Sequence, residues 1–251
     1  MSEFVRARKP EQKEERRAHL LATARQVLEA TRDLDGVGLN ELARRAGMTK
    51  SNVYRYFESR EALLLALLEE EYTAWLVELT GALQRIEATR PPREADRIAR
   101  LADVVAATVA ARPLLGLLTA ALPSVLERNL SLEAVVAFKA RSSAFFDEVA
   151  RALAPLLPAS VAAPLMNDVV VAIGGLYPHA YPSEAVRRAL LRPELCAMAR
   201  DFERDLARFV RALATERLRE VAQSPALPTG HTPSRPRRRF GALITPRKAS
   251  V

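Results

Sequence analysis

The sequence predicts an all-α protein, with a three-helix head at its N-terminus and a larger helical body behind it. Three observations lead there. Apolar residues recur at intervals of three and four along nearly every long segment, the period of a helix rather than a strand. β-Branched alternation is scarce, and only nine glycines occur in 251 residues. Prolines fall between the periodic stretches, at 91, 92, 113, 123, 155 and 158, where they end one helix or open the next.

The elements follow in order. Leu20, Ala24, Val27 and Leu28 give a first helix one buried stripe, and Asp33, Asp35, Gly36 and Gly38 break it. A short second helix fits 39–45 and is ended by Gly47. Thr49 is a natural N-cap for a third helix reaching about residue 57. Ser59 caps a long fourth helix through Leu64, Leu68, Tyr72, Trp75, Leu79 and Leu83, stopped at Arg90-Pro91-Pro92. Further helices are expected at 94–111, 114–129, 131–157, 161–177 and 184–191, with an irregular link from Pro178 to Pro182. A final long helix would run from Pro193 to about 221, with Cys196 buried beside its apolar stripe. Beyond it, prolines at 225, 228, 233, 236 and 246 leave no apolar pattern able to bury a core, so disorder is expected. The domain boundaries read from this pattern are 11–72 for the head, 73–221 for the body and 222–251 for a basic tail.

Bulk properties narrow the class. A composition 49% hydrophobic and 27% charged is that of an ordinary globular protein. No run of about eighteen apolar residues is evident, so no membrane span is expected. The charged N-terminal stretch, 1–17, has no apolar core of the kind a signal peptide carries. The single cysteine, Cys196, cannot close an intramolecular disulfide, which fits a reducing, cytoplasmic setting. The net charge of +8 suggests a polyanionic partner. Six of those charges, however, come from Arg235, Arg237, Arg238, Arg239, Arg247 and Lys248 in a tail without acids. The tail either trails in solution or leans on an anion, and a claim of nucleic-acid binding must rest on local pattern.

That pattern lies at 37–57, which has the physics of a helix-turn-helix. Leu39, Leu42 and Ala43 share one helical face, and Ala43 and Ala46 are small enough for a second helix to cross closely. Gly47 supplies a turn conformation that a side chain disfavours. Val53 is the inward anchor of the next helix and Phe57 closes the small core. Thr49, Lys50, Ser51, Asn52, Tyr54, Arg55 and Tyr56 are then left outward, offering hydroxyls, an amide and cations of the kind a DNA major groove accepts. Plain three-helix packing is the other reading of such a triplet.

The run from Leu39 through Tyr54-Arg55-Tyr56-Phe57-Glu58-Ser59-Arg60-Glu61-Ala62-Leu63 resembles the N-terminal domain of the TetR family of transcriptional regulators. The resemblance covers roughly 11–72. Three departures stand out: Arg60 where lysine is common, Asn52 where a small residue or threonine is usual, and Leu39 where threonine or serine often caps. The resemblance implies a homodimeric repressor that binds a double-stranded operator and is released by a small-molecule effector. It implies phosphate contacts from Tyr54, Tyr56 and Arg60. Lys50, Ser51, Asn52 and Arg55 remain as candidates for base edges, since Asn pairs with adenine and Arg with guanine.

In the body, the final helix carries an apolar stripe of Leu195, Met198, Phe202, Leu206, Phe209 and Leu213, and the preceding long helix is apolar nearly all round at 169–173. Either both complete a monomeric core, or they pack on their own domain and on a partner; the resemblance implies a dimer through these last two long helices. It also implies a ligand pocket between the fourth and ninth helices. Phe138, Phe146 and Tyr177 are candidate lining groups, with Asn129 and Asn167 as polar groups to orient a ligand; Phe145, Met166, Asp168 and His179 lie in the same stretch. Each also has an ordinary structural reading. No catalytic set is advertised: the three histidines, His19, His179 and His231, are far apart, and no phosphate loop or metal-ligand spacing occurs. No enzyme activity, cofactor or metal is expected.

Overall fold

The computed structural model describes residues 10–89, 93–128 and 130–223, and among these there is no strand. Ten α-helices follow one another: α1 (Pro10–Thr31), α2 (Leu39–Arg45), α3 (Lys50–Tyr54), α4 (Arg60–Thr89), α5 (Glu94–Ala110), α6 (Pro113–Ala121), α7 (Leu132–Leu153), α8 (Ala159–Ala180), α9 (Glu184–Ala189) and α10 (Phe202–Gln223). The expected stop at Arg90-Pro91-Pro92, the candidate Asn129 and the basic tail from 224 onward lie outside the described residues.

Local chemistry sets the head. Thr49 Oγ1 accepts the Asn52 N–H and so caps α3, as its side chain promised. Ser59 Oγ accepts the Ala62 N–H at 3.0 Å and starts α4. Gly47 sits at φ +63°, the left-handed region where a Cβ is disfavoured, and thereby turns α2 towards α3. Arg32 adopts φ 52° just past α1, a conformation costing a residue with a Cβ about 1 kcal/mol. The core of the head is closed by Leu20, Leu28, Leu42, Val53 and Phe57 against Leu63, Leu64 and Leu67 of α4.

α4 is the shared element. Its first turns belong to the core of the head and its later turns, with Trp75 and Leu79, to that of the body. Trp75 Nε1 donates to Thr108 Oγ1 of α5 at 3.0 Å, which satisfies a buried indole N–H. The helix passes residue 72 without a break. A second tie between head and body is ionic. Glu71, 3% exposed, receives Arg25 of α1 on one oxygen and Arg112, between α5 and α6, on the other.

In the body, α10 packs along α5 and α8, while α6, α7 and α8 close the opposite side. By length and composition α8 could cross a membrane, contrary to the expectation of no such stretch. It packs against α6, α7 and α10, and the side it buries there carries Val161, Leu165, Val169, Ile173 and Leu176.

Other expectations need correction. The final helix starts at Phe202, because Asp201 Oδ1 accepts the Arg204 N–H at 2.8 Å and caps it there. Residues 193–195 form a turn and Cys196–Met198 a single 3-10 turn before α10 begins, so Leu195 and Met198 leave the stripe, and Cys196 is exposed rather than buried. The core-facing stripe of α10 is Phe202, Leu206, Val210 and Ala214, which turns Phe209 outward. Pro178 does not end α8: Tyr177 anchors its last turns by donating to the Pro113 carbonyl at 2.9 Å, and the helix continues to Ala180. α6 ends at Ala121, with a π-helical turn over Leu122–Leu126 holding Pro123. α3 stops at Tyr54, and residues 55–57 leave it through turn hydrogen bonds to Asn52 and Val53.

Candidate nucleic-acid interface

α3 is held to the head by one fully buried side chain, Val53. Everything else on it faces outward to some degree. Thr49, Lys50, Ser51, Tyr54 and Arg55 are exposed, while Asn52 and Tyr56 are half-buried. Thr49 Oγ1 and Ser51 Oγ lie 3.2 Å apart, so the cap also fixes the serine hydroxyl. The Lys50 ammonium lies over the Tyr54 ring, 5.8 Å from its centroid, a contact that orients both groups on one face.

The fold adds residues that the sequence reading missed. The first turns of α1 bring Gln12, Lys13 and Arg16 alongside Asn52, Arg55 and Tyr56, and together they line a cleft of about 300 Å³. Its lining holds three cations and no carboxylate. The charges of 11–17 alternate in sign and look like an ordinary solvated face; only the packing of α1 across α2 and α4 selects Lys13 and Arg16 for this side. Cations elsewhere in the head are partly neutralised. Glu41 receives hydrogen bonds from Arg44 and Arg45, which hold its carboxyl down at about 2. Arg60 is not on the open cationic face: it is half-buried and lies 3.4 Å from Asp35 and 3.6 Å from Glu61.

The candidate effector residues divide between two places. Phe138, Phe146 and Asn167 line one cavity of about 360 Å³ between α4, α7 and α8. Phe138 is its floor and Asn167 is exposed at its mouth, with its amide reaching the Ala163 carbonyl at 3.4 Å. Tyr72 of α4 forms part of the wall, and burial pushes its phenol up to about 12. Ser142 Oγ is shielded there without a hydrogen-bond partner. Tyr177 lies elsewhere, on a crevice of about 1040 Å³ between the head and the end of α8. His179 opens onto that same crevice, whereas Met166 is core. Asp168 is held by Arg217 of α10 at 2.7 Å, a tie between helices rather than a free polar group.

Comparison with known proteins gives these features a setting. Residues 69–215 match the family model described as the tetracyclin repressor-like C-terminal domain, and residues 20–67 match that of bacterial regulatory proteins of the tetR family. Over 68 residues the chain is 44% identical to the HTH-type transcriptional repressor NemR of Escherichia coli K12, covering 27% of this chain and 34% of NemR. It is 39% identical over 56 residues to the HTH-type transcriptional regulator EthR of Mycolicibacterium smegmatis, covering 22% and 25%. The chain thus matches about a third or less of the length of these curated relatives. A solved putative tetR-family regulator from Mesorhizobium loti aligns over 83% of this chain and 97% of its own, at 14% identity and TM-score 0.47. The reduced form of Escherichia coli NemR aligns over 80% and 96%, at 21% identity and TM-score 0.44. With a family model spanning more than half of its residues, the chain belongs to the tetR family of bacterial regulatory proteins.

Proposed function

We propose that this protein is a cytoplasmic, homodimeric transcriptional repressor, without catalytic activity, that grips a double-stranded operator with α3 and lets go when a small molecule occupies its body. The observation that carries DNA binding is the cleft where Lys13, Arg16 and Arg55 converge with no carboxylate in the lining. Phosphates supply the missing negative charge. Lys50, Ser51, Asn52 and Arg55 are the residues proposed to read bases, with Tyr54, Tyr56 and Thr49 positioned for the backbone. Arg60 contributes to phosphate binding once its contact with Asp35 yields to a stronger anion.

Dimerisation is supported by what α8 and α10 leave uncovered. Along α8, Asn167, Val171, Gly175 and Pro178 are exposed without a charge among them, and Val171 is 75% exposed. On α10, Phe209 is 44% exposed. Bulky apolar side chains on two adjacent helices suit a partner surface. Phe202 is not part of that seam, since it is buried against Tyr177 and Tyr181 of its own chain. The cavity beside Tyr72, with the unpartnered Ser142 Oγ inside it, suits a small apolar effector carrying one polar group. Tyr72 sits on α4, the helix that also carries the core of the head, so an effector that prefers an α4 position unsuited to the operator must weaken operator binding by the same coupling factor.

The test is selection of bound duplexes from a randomised pool, followed by titration of the winner beside a scrambled duplex. A preference of about a thousandfold or more for the selected sequence is expected. Equal affinity for both would contradict the reading.

A further inference from the structure

The cavity beside Tyr72 is open to water on one side. Two of its wall residues, Asn167 and Val171 of α8, are exposed, and so are Ser143 and Asp147 of α7 across the mouth. An apolar ligand seated there keeps part of its surface wet, which forfeits part of the gain from burial. In the single chain the site is incomplete.

The mouth belongs to a larger uncovered surface. α8 reaches a mean hydropathy of 1.5 over an eighteen-residue stretch, yet only 39% of that stretch is buried. Its exposed line is Asn167, Val171, Gly175 and Pro178. α7 adds a second line: Leu132, 73% exposed, Val136, 59% exposed, and Ser143 follow at spacings of four and seven along one side of the helix. The cavity mouth lies between the two lines, and Asn167, Val171 and Ser143 belong both to a line and to the cavity wall.

A second copy of this chain fits that surface. A two-fold contact brings a surface against itself, so a charge on it would face a like charge, and none of the four α8 residues is charged. Asp168, beside Asn167, is already taken by Arg217 of α10 at 2.7 Å. α3 has only five residues and one buried anchor, Val53, and a second copy doubles its hold by supplying the other half-site.

We infer that each effector cavity is closed by the second copy, whose α8 lies across Asn167 and Val171 and covers the mouth as far as Ser143. The effector is then held between subunits, against walls that the dimer keeps dry. By linkage it tightens the dimer by the factor by which the dimer tightens it, and it acts directly on how the two bodies, and hence the two heads, are set. This closure rests on the homodimer proposed above and extends the seam from α8 and α10 onto α7.

The experiment measures how fast a cysteine at the mouth reacts with iodoacetamide. The native thiol is exposed, so every variant also carries Cys196→Ser, whose hydroxyl can keep the hydrogen bond to the Pro193 carbonyl. Ser143→Cys tests the closure, and Ala18→Cys, on the exposed side of α1, is the reference. In the dimer, identified by sedimentation, Ser143→Cys should react about tenfold more slowly than the reference, as expected for a side chain inside an interface. Adding Phe209→Arg, or Val171→Asp within the closure itself, should bring the two rates together as the dimer dissociates. A dimer in which Ser143→Cys reacts as fast as the reference would overturn the closure and leave the homodimer standing. Protection that persists in a dissociated variant would overturn it too, because the chain would then be covering its own cavity. A chain that is monomeric at every concentration would overturn both readings, and if it also co-floats with phosphatidylglycerol vesicles, the uncovered α8 face meets lipid instead.

Discussion

The arginines of the head's DNA-facing cleft and those of the body are treated in opposite ways. In the cleft, Lys13, Arg16 and Arg55 line one surface with no carboxylate. Behind it arginines bridge elements through carboxylates: Arg25 and Arg112 share Glu71, Arg112 also meets Glu78, Arg141 meets Glu69, Arg211 meets Asp103, and Arg217 meets Asp168. The same residue type thus fastens helices in one region and waits for an external anion in the other. What identifies a nucleic-acid surface is the placement of charge without compensation, and the net charge of the chain says little about it.

The largest effect expected from this contrast lies on the fastening side. Glu71→Ala leaves two arginines facing each other around an empty, nearly buried position. It should cost about 3 kcal/mol of folding stability, towards the low end for a broken buried pair because both arginines keep some solvent. Thermal and denaturant melts measure it, and an unchanged midpoint would show that Glu71 fastens nothing. On the waiting side, Arg55→Ala should leave the melt unaltered and cost about 1–3 kcal/mol against the selected duplex, with much less lost on a scrambled one. Equal losses on both would make Arg55 a phosphate contact. Phe209→Arg should convert dimer to monomer in sedimentation without unfolding, because that side chain already meets solvent in the single chain. A mutant that stays dimeric would remove α10 from the seam.

The smallest effect belongs to an exposed pair. Arg44 and Arg45 hold the Glu41 carboxyl at about 2, below its ordinary value near 4.3. A depressed carboxylate stabilises the fold above its unfolded pKa, and that contribution disappears as pH falls through the folded one. Acid titration followed by NMR should therefore find the Glu41 midpoint near 2, with no change in its contribution from pH 6 to 8. A midpoint near 4 would mean that the two arginines do not bind it.

Much of the head was legible because its signals are local. Thr49 and Ser59 cap where their hydroxyls permit, Gly47 turns where a positive φ is needed, and Val53 with Phe57 marks the inward side. The body was legible as helices but not in detail. Leu195 and Met198 continue the spacing of the last helix by coincidence, and the competing cap at Asp201 shows only in the hydrogen bond it makes. The candidate ligand residues split for a similar reason. Phe138 and Tyr177 look alike in sequence, and only the crossing of α6, α7 and α8 sends them to different cavities. Lys13 and Arg16 were missed because alternating charge on a surface helix gives no sign of which face will meet a neighbour.

The most direct measurement is the salt dependence of binding to the selected duplex for wild type and for the double variant Lys13→Ala, Arg16→Ala. These two side chains lie far from base edges in sequence, yet they share the cleft with Arg55. Each phosphate neutralised contributes about −0.9 to the slope of log affinity against log salt. If the cleft receives the DNA backbone, the double variant should bind more weakly at every salt concentration, with a slope shallower by about two, while its melt stays that of the wild type. A parallel line with an unchanged slope would contradict the account, because those cations would then face solvent rather than phosphate.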